Sequence, residues 1–110
     1  MYAITEGVTK VRGREVHSFR RDVDVGKELL SVKAGTTGYK GDVGCAEDSR
    51  TFISLESILG NVRFAPITDA QDYLTGFQLV GCGDDALHAL VRAMKFIVKV
   101  LDEQRLGIGE

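Results

Sequence analysis

The chain has 110 residues, an apolar fraction of 44% and a formal net charge of −2. That length leaves no room for two independent cores and that apolar content excludes a disordered chain, so a single domain over residues 1–110 is expected. The small negative charge argues against non-specific nucleic-acid binding, and no apolar run approaches the roughly 20 residues that a membrane-spanning helix needs.

The charge is unevenly distributed. Residues 1–40 carry eight Lys and Arg against five acids, and the remainder carries six against eleven. A basic N-terminal edge of this kind either solvates an outer sheet face or meets an anion. The start, Met1 to Glu6, lacks the basic residues and continuous apolar core of a signal peptide, so a cytosol is the expected compartment. Cys45 and Cys82 form no metal spacing and no disulfide framework.

In chain order, Val8–Arg12 and Glu15–Arg20 alternate as a hairpin around Gly13, and Asp22 to Gly26 reads as a turn. Leu29–Ala34 is a strand with Leu30, Val32 and Ala34 on one face. Thr51–Ile58 is another, with Ile53 and Leu55 facing in and Ser54 and Glu56 facing out. Val62–Ile67 is extended, and Pro66 confines its end to an edge. Tyr73–Val80 is the last strand, with Gly76 marking a bulge.

A helix is predicted from about Asp85 to Leu106, with Asp84 as its cap and Gly107 as its terminator. At 100° per residue, Leu87, Leu90, Val91, Met94, Ile97, Val98 and Leu101 form a broad apolar stripe. Ala89, Ala93, Phe96 and Val100 form a second on the opposite side. One helix on one sheet needs one stripe. The broad stripe is assigned to the sheet and the second to another subunit, so a homo-oligomer with Ala89, Ala93, Phe96 and Val100 at its interface is expected; the rival reading is that curled strands or the N-terminal segment cover the second stripe. The expected architecture is α+β: an antiparallel sheet of five or six strands with one long C-terminal helix on one face.

Between the second pair of strands lies Gly35-Thr-Thr-Gly-Tyr-Lys-Gly-Asp-Val-Gly44, followed by Ser49-Arg-Thr51. Four glycines at a spacing of three serve either positive-φ turns or close backbone approach to a ligand. The stretch lacks the Gly-Lys-Ser/Thr ending of a nucleoside-triphosphate loop. It does offer backbone N–H groups at Gly38 and Gly41, the Thr36 and Thr37 hydroxyls and the Lys40 ammonium. Arg50 could fork onto a phosphate or carboxylate, and the Tyr39 ring could stack on a base. A small anionic ligand, with nucleotides among the candidates, is the partner these residues point to. The rival reading is a surface loop with a charged tip.

Asp42, Glu47 and Asp48 lack the ligand spacing of a calcium loop. Gly81-Cys-Gly-Asp-Asp-Ala86 matches a dinucleotide-binding pattern, but Asp84 and Asp85 would repel a phosphate, so a tight strand-to-helix turn is expected. Cys45 has no sequence-visible relation to His17 or His88, so no enzyme activity and no cofactor are expected.

The run Gly35-Thr-Thr-Gly-Tyr-Lys-Gly-Asp42, then Ser49-Arg-Thr51, then the helix from Asp85, resembles a group of short bacterial and phage proteins with no assigned activity. The resemblance covers about half the chain and implies a phage or mobile-element origin. In that setting, a small non-catalytic oligomer suits sequestration of a cyclic or linear signalling nucleotide in a host cytosol, as an anti-defence protein. The alternative is a protein–protein module or an inhibitor of a bacterial factor.

Overall fold

The computed structural model describes residues 4–39 and 49–105. Among these, six strands and one helix follow in order: β1 (Thr5–Val11), β2 (Arg14–Val25), β3 (Glu28–Thr36), β4 (Thr51–Leu59), β5 (Arg63–Thr68), β6 (Leu74–Val80) and α1 (Asp84–Arg105). The expected antiparallel α+β architecture is present. The strands divide into a four-stranded sheet, β1-β2-β3-β4, and a separate two-stranded arm, β5-β6.

The β1-β2 hairpin turns on Arg12 and Gly13, both at positive φ (45° and 83°). Two such residues in succession match the right-handed twist of the flanking strands, which fixes Val11 opposite Arg14. β2 is longer than the sequence suggested. Asp22 to Val25 is not a turn but strand, paired with β3 from Ser31 to Glu28. The two aspartates had suggested a turn, yet acid and valine alternate with a period of two. Val23 enters the core and the acids take the other face. The turn falls at Gly26-Lys27 instead.

β3 is the central strand, paired with β2 on one side and β4 on the other. Leu30, Val32 and Ala34 meet α1, as their alternation predicts, and Val23 and Val62 complete the sheet side of the core. The back of the sheet is polar and internally bonded. Arg20 Nε donates to Ser31 Oγ at 2.9 Å, and its guanidinium pairs with Asp22 at 3.1 Å. Lys33 Nζ stands 5.9 Å from the centre of the Phe52 ring.

The β4-β5 turn is pinned from beneath. Glu28, 1% exposed, accepts the Asn61 N–H on both carboxylate oxygens at 3.0 Å. Gly60 has φ +117°, and a Cβ there would collide with that carboxylate. The position therefore requires glycine twice over, by conformation and by space.

The orientation of α1 differs from the expectation. Ala86, Ala89, Ala93, Phe96, Ile97 and Val100 are the buried residues of the helix, so Ala89, Ala93, Phe96 and Val100 face the chain's own sheet and are not open to a second subunit. Leu87, Val91, Met94 and Val98 are exposed instead. The physical reason is side-chain size. Three alanines on this face permit a close approach to the sheet, and Phe96 and Val100 share the buried core with Val32 and Ala34. A stripe of larger residues would hold the helix further off and leave gaps that close packing does not tolerate.

The helix begins one residue earlier than expected. The Gly83 carbonyl accepts the Leu87 N–H at 3.2 Å, which makes Gly83 the capping position. The arm stands away from this core. Pro66 lies in it, and its register shifts between Ile67 and Thr68 opposite Gly76, where a bulge was expected. Phe64, Leu74 and Phe77 on the arm remain exposed. The result is a plate of 44 × 43 × 18 Å, one sheet and one helix thick.

Candidate functional site

The glycine-rich segment leaves the sheet between β3 and β4, and those strands end in a hydrogen-bonded neck. Thr37 N donates to the Arg50 carbonyl at 2.9 Å, and Arg50 N returns a bond to Thr37 Oγ1 at 2.9 Å. Thr36 Oγ1 donates to the same Arg50 carbonyl at 3.1 Å, lies 3.0 Å from Thr51 Oγ1 and accepts the Gly38 N–H at 3.1 Å. Ser49 Oγ donates to the Gly38 carbonyl at 2.7 Å. Short hydroxyl side chains competing for nearby backbone groups are the reason such a neck closes here.

This network reassigns three of the proposed ligand donors. The Thr36 and Thr37 hydroxyls bond within the neck, and the Gly38 N–H bonds there too. Gly38 has a structural demand of its own: φ is +83°, and a Cβ would stand 3.3 Å from the Gln104 carbonyl. Arg50 Nη1 donates to the Ser49 carbonyl at 3.2 Å, along its own strand edge. Lys40 and Gly41, also proposed to bind, lie outside the described residues, as do Cys45, Asp42, Glu47 and Asp48.

The last turn of α1 reaches this neck. Gln104 Oε1 accepts the Thr36 N–H at 2.9 Å, and Gln104 Nε2 donates to the His17 carbonyl at 2.9 Å. Next to it, the Arg105 guanidinium carbon stands 5.9 Å from the centre of the Tyr39 ring, with Nη1 3.4 Å from the phenol oxygen. Arg105 Nε also donates to Asp102 Oδ1 at 2.8 Å. An arginine side chain is a permanent cation; that hydrogen bond, followed by attraction to Tyr39, holds the Arg105 pKa above its ordinary value.

Thr36, Gly38, Tyr39, Ser49, Thr51, Leu101 and Arg105 line a pocket of about 190 Å³ at this junction. Of the residues singled out in the sequence, Thr36, Gly38 and Tyr39 line it, and Thr37 and Arg50 do not. Tyr39 is 72% exposed, so its ring is an open wall. A cation beside an aromatic face suits a planar or phosphorylated anion, because a guanidinium both stacks on rings and forks onto oxyanions. The volume is below the 300–1,000 Å³ usual for a drug-sized ligand and fits one ring or one phosphate group.

Arg105 and Leu101 were missed in the sequence because nothing local links them to Tyr39, 66 residues away for Arg105. The only hint was a basic residue in the last helical turn, which the helix dipole explains by itself.

A second depression, about 240 Å³, is lined by Lys27, Glu28, Asn61 and the stretch Cys82 to Asp85. Its three carboxylates repel an anion. Among the described residues, no group of three or more His, Cys, Asp or Glu could hold a metal ion, and no helix is long and apolar enough to cross a membrane. No family model, curated protein or solved structure matches this chain.

Proposed function

We propose that the protein binds a small anionic ligand without catalysis, through the pocket between the β3-β4 neck and the end of α1. The observation that carries this reading is the Arg105–Tyr39 pair: a permanent cation and an exposed ring held side by side over a concave surface. The ligand class it favours is a nucleotide, cyclic or linear, one of whose groups occupies the pocket while Arg105 neutralises a phosphate and Tyr39 packs on a base. Sequestration of a signalling nucleotide in a host cytosol by a phage or mobile-element protein is the biological setting proposed from the resemblance of the glycine-rich segment.

The test is a thermal-shift screen of mononucleotides, cyclic dinucleotides and inorganic phosphate on the intact chain. A ligand that binds the folded state raises the apparent Tm with concentration. A rise with one nucleotide class, lost in Arg105→Ala, supports the reading. Unchanged Tm across the panel at millimolar concentration refutes it.

A protein–protein role is the second reading, and one observation favours it. The arm carries a shallow depression of about 430 Å³ lined by Phe64, Pro66, Leu74 and Phe77, exposed apolar side chains of the kind enriched at interfaces.

A further inference from the structure

We propose, building on the anion-binding reading above, that the pocket selects a ligand whose flat ring carries a primary amino group, as in an aminopurine or aminopyrimidine nucleotide. The amino group faces Ser49 and Thr51, and the oxyanion of the same molecule meets Arg105. This polarity follows from where the neck hydroxyls hold their protons.

Each hydroxyl has one proton and two acceptor lone pairs. Ser49 Oγ lies 2.7 Å from the Gly38 carbonyl, which can only accept, so the Ser49 proton points there. Thr36 Oγ1 lies 3.1 Å from the Arg50 carbonyl and donates to it in the same way. Thr36 Oγ1 and Thr51 Oγ1 are 3.0 Å apart, and a bond between them needs one proton. Thr36 has none remaining, so Thr51 supplies it. With the Gly38 N–H at 3.1 Å, both lone pairs of Thr36 are then filled. Ser49 and Thr51 have no proton to give, and among the described residues nothing donates to their lone pairs. Both line the pocket.

The backbone of the neck offers no donor in their place. The Thr36 N–H goes to Gln104, Thr37 to the Arg50 carbonyl, Gly38 to Thr36 and Arg50 to Thr37. The neck wall is therefore an accepting surface, and a phosphate or carboxylate oxygen set against it would meet lone pairs. The donors belong to Arg105 and Tyr39. Arg105 Nε is held by Asp102 and Nη1 reaches the Tyr39 phenol oxygen, while the other N–H groups of the fork have no partner among the described residues. The oxyanion belongs at Arg105, and a donor belongs at the neck.

Two accepting oxygens without protons match the two N–H groups of one amino group, whereas a hydroxyl has a single proton for both. An amino group on an aromatic ring also brings a flat apolar body, and the pocket meets it with the exposed Tyr39 ring and the Leu101 side chain. Inorganic phosphate satisfies Arg105 alone.

The experiment is calorimetric titration of the intact chain with two pairs of probes. Adenosine and purine riboside 5′-monophosphates differ by one amino group. Cytidine and uridine 5′-monophosphates carry an amino group and a carbonyl oxygen at the same ring position. In each pair that binds, the amino member should bind about ten- to hundredfold more tightly, as expected for two hydrogen bonds. Thr51→Val removes one acceptor and keeps the side-chain shape. It should weaken the amino member by about tenfold and leave its partner unchanged. Equal affinity within the pairs, still lost in Arg105→Ala, overturns this proposal and leaves the anion-binding reading standing. So does a Thr51→Val variant that weakens both members alike, which is the mark of a loosened neck. Binding of none of the four overturns both.

Discussion

Gln104, in the last turn of α1, accepts the backbone N–H of Thr36, at the end of β3, at a distance of 2.9 Å. Through the same amide it donates to the His17 carbonyl of β2 at 2.9 Å. One side chain thus ties the C-terminal end of the helix to two adjacent strands. It also sets where Arg105, its neighbour, meets Tyr39. This tie joins the helix end to the strands beside the pocket.

Gln104→Ala is therefore expected to destabilise the fold by about 1–3 kcal/mol, the cost of leaving a buried N–H without its acceptor. Gln104→Glu keeps an acceptor for Thr36 but turns a carboxylate oxygen toward the His17 carbonyl that Nε2 bonds, so it should recover only part of that loss. Urea unfolding of the two variants checks the order.

Phe96 is 5% exposed and packs in the chain's own core. Phe96→Ala should cost about 3–5 kcal/mol, as for other large-to-small core changes. The loss should be independent of protein concentration. A destabilisation that disappears on dilution would instead return Phe96 to a subunit interface.

The helix itself was legible in the sequence, its start to within a residue, because its apolar period is a local signal; its expected terminator, Gly107, lies outside the described residues. So were the inward positions of β3, Leu30, Val32 and Ala34, from simple alternation. Which face of α1 meets the sheet was not legible. Periodicity shows that two stripes exist, and only the shape of the sheet surface decides which of them fits. The alanine-rich stripe wins by close approach, although the other is larger and more apolar. The pocket was half legible. Tyr39 and Gly38 stand out in a glycine-rich run, but Arg105 joins them only through tertiary packing. The threonines were read as ligand donors because a hydroxyl in a loop has no visible partner until the opposite strand is in place.

Arg12 holds φ 45° in the β1-β2 turn, a region that favours glycine and asparagine. Arg12→Asn should stabilise the protein by about 0.5–1 kcal/mol, since Asn-Gly is the preferred pair for this turn and the left-handed conformation is costly for an arginine. Thermal unfolding of the variant reads the shift. A loss of stability would show that the Arg12 side chain makes a compensating contact.

Gly60→Ala should destabilise by about 1–3 kcal/mol, because alanine is strained at φ +117° and its Cβ meets the Glu28 carboxylate. Shortening the acid in a Gly60→Ala, Glu28→Asp pair relieves the collision but not the backbone strain. The double variant should recover part of the loss, measured by the same unfolding experiment.

The central claim is that Arg105 and Tyr39 together bind an anion, and calorimetric titration of the nucleotide class selected by the thermal screen tests it most directly. Arg105→Ala is expected to weaken binding by about 1.5–3 kcal/mol, the range for a hydrogen bond to a charged group, which is roughly ten- to hundredfold in Kd. Arg105→Lys should recover only part, because an ammonium cannot make the planar fork. Tyr39→Ala should weaken nucleotides more than inorganic phosphate. A wild type that binds no anion, or an Arg105→Ala variant whose affinity equals that of the wild type, would contradict the account.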